Sequence, residues 1–356
     1  MTKPRVGIVL FQLGGPDSPQ AVEPFLYNLF CDPDIINFFG GWLARRPLAW
    51  WIAHRRAGIV REHYDAIGGQ SPIRRLTELQ ARGLEAALAR DFDARCFIAM
   101  RYWHPLTQEA VDAIRSAAPL DALILLPLYP HYSFATTLSS LKEWRRVYSA
   151  QASAPGRAPA APREVVIEEF HVHPQYIQAL VRNIETAFAR FADRRKVQLV
   201  FSAHGLPLSL IERGDPYQRH VQETVAAVMA RGGWPNSHLL CFQSRVGRQK
   251  WLEPSLTHTL ESLPREGKKH LLIIPISFVT EHIETLHEIN IEAREHALAS
   301  GVEQFEMMPA LDDSPDFIAA LASLVRAAVA AETPAHASAA AAVSPKPTPV
   351  PQEKVP

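Results

Sequence analysis

The chain has 356 residues, 47% of them hydrophobic and 21% charged, with 37 basic side chains balanced by 37 acidic ones. That length is too great for one compact core and suits two domains, while the neutral balance leaves no electrostatic footprint for nucleic acid. No stretch approaches the ~20 apolar residues needed to cross a bilayer, and Cys31, Cys96 and Cys241 are too few for a four-cysteine cluster.

The first apolar run, Val6–Leu13, follows Lys3 and Arg5. It faintly imitates a secretion signal, but it is short and enters Gly14-Gly15-Pro16 without a cleavage pattern, so a first β-strand is the better reading. A cytoplasmic protein is expected. No G-x-G-x-x-G follows this run, which argues against a nucleotide-dependent dehydrogenase. The segment 42–56 interleaves Trp42, Trp50 and Trp51 with Arg45, Arg46, Arg55 and Arg56. It reads equally as a lip making peripheral contact with the inner membrane and as a helix packing its tryptophans while its arginines reach outward.

Further strand-like runs follow at Ala94–Met100, Ala122–Leu128, Val165–Phe170, Val197–Ser202, His238–Gln243, His270–Ser277 and Gln304–Met308, with helical stretches between them. This alternation predicts βαβ units and parallel sheet. The runs form two sets of four with matching character. Val6-Gly-Ile-Val-Leu-Phe-Gln-Leu-Gly resembles Val197-Gln-Leu-Val-Phe-Ser-Ala-His-Gly, and Leu123-Ile-Leu-Leu-Pro resembles Leu271-Leu-Ile-Ile-Pro. A proline is unusual in a central strand, so its occurrence at the same place twice marks a repeat. The expected fold is α/β, with two similar lobes, each a four-stranded parallel sheet flanked by helices, and a cleft between them. The lobes span 1–172 and 173–332. Gln151–Pro162 reads as an exposed loop and 333–356 as a disordered Ala/Pro-rich tail.

His204 directly follows a buried-strand pattern, in Ser202-Ala-His-Gly-Leu-Pro. Ligands of open α/β sheets collect beyond the carboxyl ends of the strands, which places this imidazole at a crevice. A second strand end carries an acid cluster. If a helix starts at Thr280, then at ~100° per residue Glu281, Glu284, Glu288, Glu292 and Glu295 fall within an arc of roughly 80°. The stripe contains no cation, and like charges four apart oppose helix formation. A plain solvated face explains part of this pattern; a track for cations or protons explains the rest. One imidazole and one acid cluster at two strand ends suggest a metal site.

Taken together, Leu13-Gly-Gly-Pro, Tyr64 with Ile67-Gly-Gly-Gln-Ser-Pro-Ile, Arg101-Tyr102 with His104-Pro-Leu-Thr, Leu128-Tyr-Pro-His-Tyr-Ser, Ser202-Ala-His-Gly-Leu-Pro, Gln243-Ser-Arg-Val-Gly with Trp251, and His282-Ile-Glu-Thr-Leu resemble the ferrochelatases from Val6 to about residue 330. The resemblance implies two Rossmann-like lobes closing on a porphyrin, with Fe2+ and protoporphyrin IX as substrates. It implies catalytic and metal-ligating roles for His204 and Glu284, and a π-type widening at Glu288. Glu281, His287 and Glu288 would line a proton or metal path. Leu13, Tyr129 and Trp251 would flank the macrocycle, and Arg56, Tyr64 and Ser71 would hold propionates or line the pocket mouth. Glu281 and His287 stand where the family often has aspartate and tyrosine. Leu13 stands near a tyrosine of the coproporphyrin-using branch, which favours protoporphyrin. The tail has no cysteine, so no [2Fe–2S] cluster is expected and no cofactor is required. A coproporphyrin III ferrochelatase, another tetrapyrrole chelatase and a non-catalytic heme-binding protein are the alternatives.

Overall fold

The structure, a computed structural model, describes residues 2–33, 41–152, 162–245 and 249–331. The loop expected at 151–162 falls almost wholly outside these residues, and the tail at 333–356 entirely so.

Eight strands form two parallel sheets. β1 (Arg5–Gln12), β2 (Asp93–Met100), β3 (Ala122–Pro127) and β4 (Arg163–Val166) make the first, in the order β2-β1-β3-β4. β5 (Val197–His204), β6 (His238–Gln243), β7 (His270–Pro275) and β8 (Gln304–Met307) make the second, in the order β6-β5-β7-β8. The two halves therefore share one topology. In the central strands β1 and β5, every residue from Val6 to Gln12 and from Val197 to Ala203 is buried. Helices cover both faces of such sheets, which is why these runs are apolar without alternation.

The paired prolines mark strand ends. Pro127 lies opposite Phe11 and Pro275 opposite Ser202, each as the last residue of its strand. Proline cannot donate to a ladder, so both strands stop at the same rung. Beyond each lies a π-helical segment, Phe134–Leu138 in the first half and Glu284–Ala293 in the second. The repeat extends even to this widened turn.

The core departs from two self-contained lobes. One apolar cluster joins Ile8, Leu10, Ile124 and Leu126 of the first sheet to Leu199, Phe201, Leu272 and Ile274 of the second. Helices Ile73–Leu88, Pro174–Phe188 and Pro315–Ala331 form the shared layer between them. Pro315–Ala331 packs on Ile73–Leu88 and β3 as well as on Pro174–Phe188, so the end of the described chain ties back to its beginning.

Three boundaries differ from expectation. β4 covers Arg163–Val166, not Val165–Phe170, because pairing with β3 sets its register from Ala122↔Arg163 to Leu125↔Val166. β5 runs on to His204, which pairs with Gln243, so the imidazole belongs to the strand and not to the turn. The acidic helix begins at Ile283, not Thr280. The residues before it are held in a loop by one distant and one local partner: Glu281 N donates to Asp312 Oδ1, and His282 Nδ1 donates to the Thr280 carbonyl.

Candidate active site at the carboxyl end of the second sheet

His204 is fixed on three sides. Its backbone N–H donates to Ser277 Oγ at 3.0 Å, its carbonyl accepts from the Tyr217 hydroxyl at 3.0 Å, and its Nδ1 donates to Glu284 Oε2 at 2.8 Å. Gly205 follows because nothing larger fits: a Cβ there would meet the Gln243 carbonyl oxygen at 2.6 Å and the Trp251 ring at 3.4 Å. The same close approach seats Trp251 against Gly205, and it bridges to Pro207. Phe278 meets the imidazole edge-on, with ring centroids 6.3 Å apart.

Glu284 opens the π-helical segment. Hydrogen bonds spanning five residues widen such a turn, a feature frequent at functional sites, and the widening implied by the family resemblance is present here. Burial by itself would raise the Glu284 pKa, but the charge on His204, with hydrogen bonds from His204 and His282, outweighs it and holds the carboxyl well below the usual carboxylate range. For His204, burial opposes the charged ring, yet Glu284 outweighs burial and raises the imidazole above its ordinary value. The two are an ion pair.

Glu288 has the opposite character. Burial, then the neighbouring charge of Glu284, push its pKa up to about 7. Ser244, one residue beyond β6, donates its hydroxyl to Glu288 Oε2 at 2.6 Å. A carboxyl poised near neutrality therefore stands behind a fixed ion pair. Such a separation of two acids by environment is how a site assigns proton-transfer roles.

The remaining candidates are distributed around this centre. Leu13 packs with Tyr64, Phe30 and Ile283 in one apolar cluster, which joins the first half to the start of the acidic helix. Tyr64 is buried, and its phenol is raised by burial and then by the charge of Glu284. Ser71 is buried against Gly15, where a Cβ would lie 2.6 Å from its own Cβ and Oγ. Arg56 is exposed, with its guanidinium 5.8 Å over the Phe30 ring. Tyr129 rests on the outer apolar cluster of the first sheet and hydrogen-bonds Ser140. Glu281 accepts from Ala310 N at 2.8 Å and from the Thr285 hydroxyl. His287 is buried and stacks on His63 with centroids 4.2 Å apart, and Glu292 stands 3.7 Å from its Nδ1. Ser244, Tyr217 and Ser277 went unread in the sequence. The strand-end rule that found His204 also covers Ser244, which follows β6, and Ser277, which follows β7.

A family model described as Ferrochelatase matches residues 5–329. A protein of Citrifermentans bemidjiense named ferrochelatase is 48% identical over 91% of this chain and 98% of its own. One from Geotalea uraniireducens, with the same name, is 48% identical over 92% and 99%. A Synechococcus sp. ferrochelatase is 45% identical over 92% and 83%. Among solved structures, SirB from Bacillus subtilis with Fe3+ superposes with a TM-score of 0.54 at 12% identity, covering 93% of this chain and 98% of that one. That likeness concerns the two-lobed α/β fold. A match across both sheets and all the connecting helices, with full-length relatives at close to half identity, means that the chain belongs to the ferrochelatase family.

Proposed function

We infer that this protein inserts Fe2+ into protoporphyrin IX with release of two protons, the step that makes protoheme. The observation that carries the reading is the His204–Glu284 pair, 2.8 Å apart at the strand end, backed by a second acid whose pKa is near 7.

Insertion exchanges two pyrrole protons for one divalent ion. Nδ1 of His204 is committed to Glu284, so Nε2, once the ion-paired ring has passed its own proton on, is the nitrogen that takes a pyrrole proton. Imidazole is suited to this because its ordinary pKa lies close to working pH. The carboxylate of Glu284 stays ionised, orients the ring and stabilises its charged form. Imidazole and carboxylate also suit ferrous iron, so both groups can hold the cation as it approaches. A nearby Fe2+ disfavours the protonated forms of His204 and Glu288, which couples arrival of the metal to departure of the protons. Glu288 then serves as the relay away from the centre, with His287 further along the same helix. Glu281, held by Ala310 and Thr285, positions the loop that leads into this helix. Leu13, Tyr129 and Trp251 flank the macrocycle, and Arg56, Tyr64 and Ser71 hold its carboxylates or line the pocket mouth. The halves 1–172 and 173–332 supply the two walls.

The three cysteines are free, which suits a reducing cytoplasm, and the reading calls for no iron–sulfur cluster. No helix among the described residues is long and apolar enough to cross a membrane. The helix Gly41–Asp65 buries Ala49, Ala53 and Ala57 and leaves Trp50 54% and Trp51 51% exposed. These two tryptophans keep about half of their surface open to solvent, which favours a lip at the membrane surface. The side chain of Trp42 lies outside the described residues.

Anaerobic incubation with Fe2+ and either protoporphyrin IX or coproporphyrin III, followed by absorbance, tests activity and substrate together. Metalloporphyrin from protoporphyrin is expected. Faster turnover of coproporphyrin III would reassign the substrate, and binding without insertion would make the protein a carrier.

A further inference from the structure

A second group of metal-ligand type lies outside the cleft, where the two halves meet. Glu169 and His171 lie between β4 and the helix Pro174–Phe188, and His220 lies in the first turn of the helix Tyr217–Gly232. One ligand atom from each converges within 4.8 Å of the others. The imidazoles stack with centroids 4.0 Å apart and planes 7° from parallel. Glu169 Oε2 stands 3.0 Å from His220 Nδ1 and 3.8 Å from His171 Nδ1. Donors bound at about 2.0–2.2 Å around one ion lie roughly 3.0–3.5 Å apart, so to share a cation the three atoms draw closer and the stacked rings turn their Nδ1 edges toward one another.

Two independent features point to a ligand here. The side chains of His171 and His220 are only 5% and 4% exposed, yet Nδ1 of each makes no hydrogen bond among the described residues. Burying such a nitrogen without a hydrogen bond carries a desolvation cost. Second, His171 Nε2 donates to Glu223 Oε2 at 2.8 Å. This fixes the tautomer and leaves Nδ1 as a bare lone pair, the outer-carboxylate arrangement common behind metal-bound histidines.

We propose that Glu169 Oε2, His171 Nδ1 and His220 Nδ1 bind one divalent transition-metal ion, separate from the metal that is inserted. Two imidazoles and a carboxylate suit Zn2+ or Fe2+ and leave an open position. Arg219 Nη2 lies 3.4 Å from His220 Nε2; its side chain is 68% exposed and can turn to solvent when that nitrogen carries the proton.

The position gives the ion a structural consequence. Thr224, in the same helix as His220, donates to the His171 carbonyl at 3.0 Å and lies 2.9 Å from His131 Nε2, beyond β3. Asp215 accepts from Ser133 Oγ and Phe134 N of the first half and from Tyr217 N of the second. Tyr217 holds the His204 carbonyl. A metal at this junction would fasten together the segments that support the catalytic strand end. This inference does not depend on the insertion activity.

The test uses Zn2+ alone and the full chain carrying His204→Ala, Glu284→Gln and His287→Ala, which remove both ligands of the cleft pair and one imidazole of the His63–His287–Glu292 group. Competition against a chromogenic chelator should show one equivalent bound, with a rise in melting temperature of on the order of 2–4 °C at saturation. Adding Glu169→Gln, an exposed change that the fold tolerates, or His220→Gln should weaken that equivalent at least tenfold. Absence of the equivalent, or affinity unchanged by both substitutions in protein with a normal circular dichroism spectrum, would overturn the proposal.

Discussion

Ser244 donates its hydroxyl to Glu288 at 2.6 Å from a backbone held at φ 64°, the left-handed region in which side chains other than glycine are strained. The strain and the hydrogen bond can be separated. Ser244→Gly relieves the backbone and removes the hydroxyl. That hydroxyl favours the ionised form of Glu288, so its loss raises the pKa further. If Glu288 must be ionised to accept protons, the wild-type rate climbs as pH rises through about 7. In Ser244→Gly the same climb should shift to higher pH by several tenths of a unit or more, with thermal stability equal or improved. A kcat profile from pH 5.5 to 9 checks this, and an unshifted limb would remove Glu288 from the relay.

The same carboxyl links stability to pH. Its folded pKa of about 7 lies above the ordinary ~4.3, so folding takes up a proton. The stabilisation it contributes is fully present below about pH 4 and is lost as pH rises through about 7. Glu284, held low, has the opposite sign, and its contribution disappears only as pH falls below about 4. Between about pH 4 and 8, therefore, Glu288→Gln should match wild type at the acid end. At pH 8 it should exceed wild type by on the order of 1–3 kcal/mol, because glutamine stays neutral and needs no proton. Urea melts at the two pH values measure the difference.

The two halves of the ion pair should fail differently. His204→Ala removes the proton acceptor and should reduce insertion about 10²–10⁴-fold, the range for a lost general base, while porphyrin still binds. In Glu284→Gln the ring stays but loses the charge that offsets its burial, so the imidazole pKa falls below its wild-type value. The neutral, proton-accepting ring is then populated at lower pH, so the acid limb of the residual turnover should move to lower pH than in wild type. Fluorescence titration of the porphyrin alongside turnover separates the cases, and lost affinity with retained turnover in His204→Ala would contradict the assignment.

How much of this was legible follows from the range of the forces involved. Buried parallel strands print themselves as unbroken apolar runs, so all eight were readable, and the proline pair disclosed the repeat. β4 slipped because its limits depend on pairing with β3, which the run Val165-Val-Ile-Glu-Glu-Phe does not encode. Thr280 looked like a helix start because its neighbours carry helical periodicity. The bonds that hold Glu281 in a loop come from Ala310 and Asp312, far along the chain. The strand-end rule found His204, and the acid stripe found Glu284 and Glu288. Tyr217 escaped because its contact with the His204 carbonyl arises from tertiary packing that local pattern does not carry.

Gly205 is a positioning residue with no side chain to contribute. Its substitution by alanine would put a Cβ 2.6 Å from the Gln243 carbonyl, a backbone atom that cannot swing aside. That same carbonyl accepts the Gly205 N–H at 2.8 Å. Strand β5 or β6 must therefore shift where His204, Ser244 and Trp251 converge. Gly205→Ala should lower kcat tenfold or more and destabilise by about 1–3 kcal/mol. Crystallography of the variant would show whether the His204–Glu284 distance has lengthened.

The exposed tryptophans supply the last test. Trp50 stacks on His54 with centroids 5.4 Å apart, and the Arg55 guanidinium lies 5.2 Å over the Trp51 ring. Each ring thus has one polar partner and a large face open to solvent. In water that exposure is unfavourable at about 25 cal/mol per Å2 of apolar surface; at a headgroup layer the rings are sheltered while the arginines meet anionic phosphate. Sedimentation with vesicles containing anionic lipid should pellet the wild type and leave Trp50→Ser/Trp51→Ser in the supernatant, and added salt should weaken the wild-type binding. Stability should change little, because neither ring is part of the core. If wild type and variant both remain in the supernatant, the helix Gly41–Asp65 has no role at the membrane, and its tryptophans must be explained by the macrocycle or by another protein.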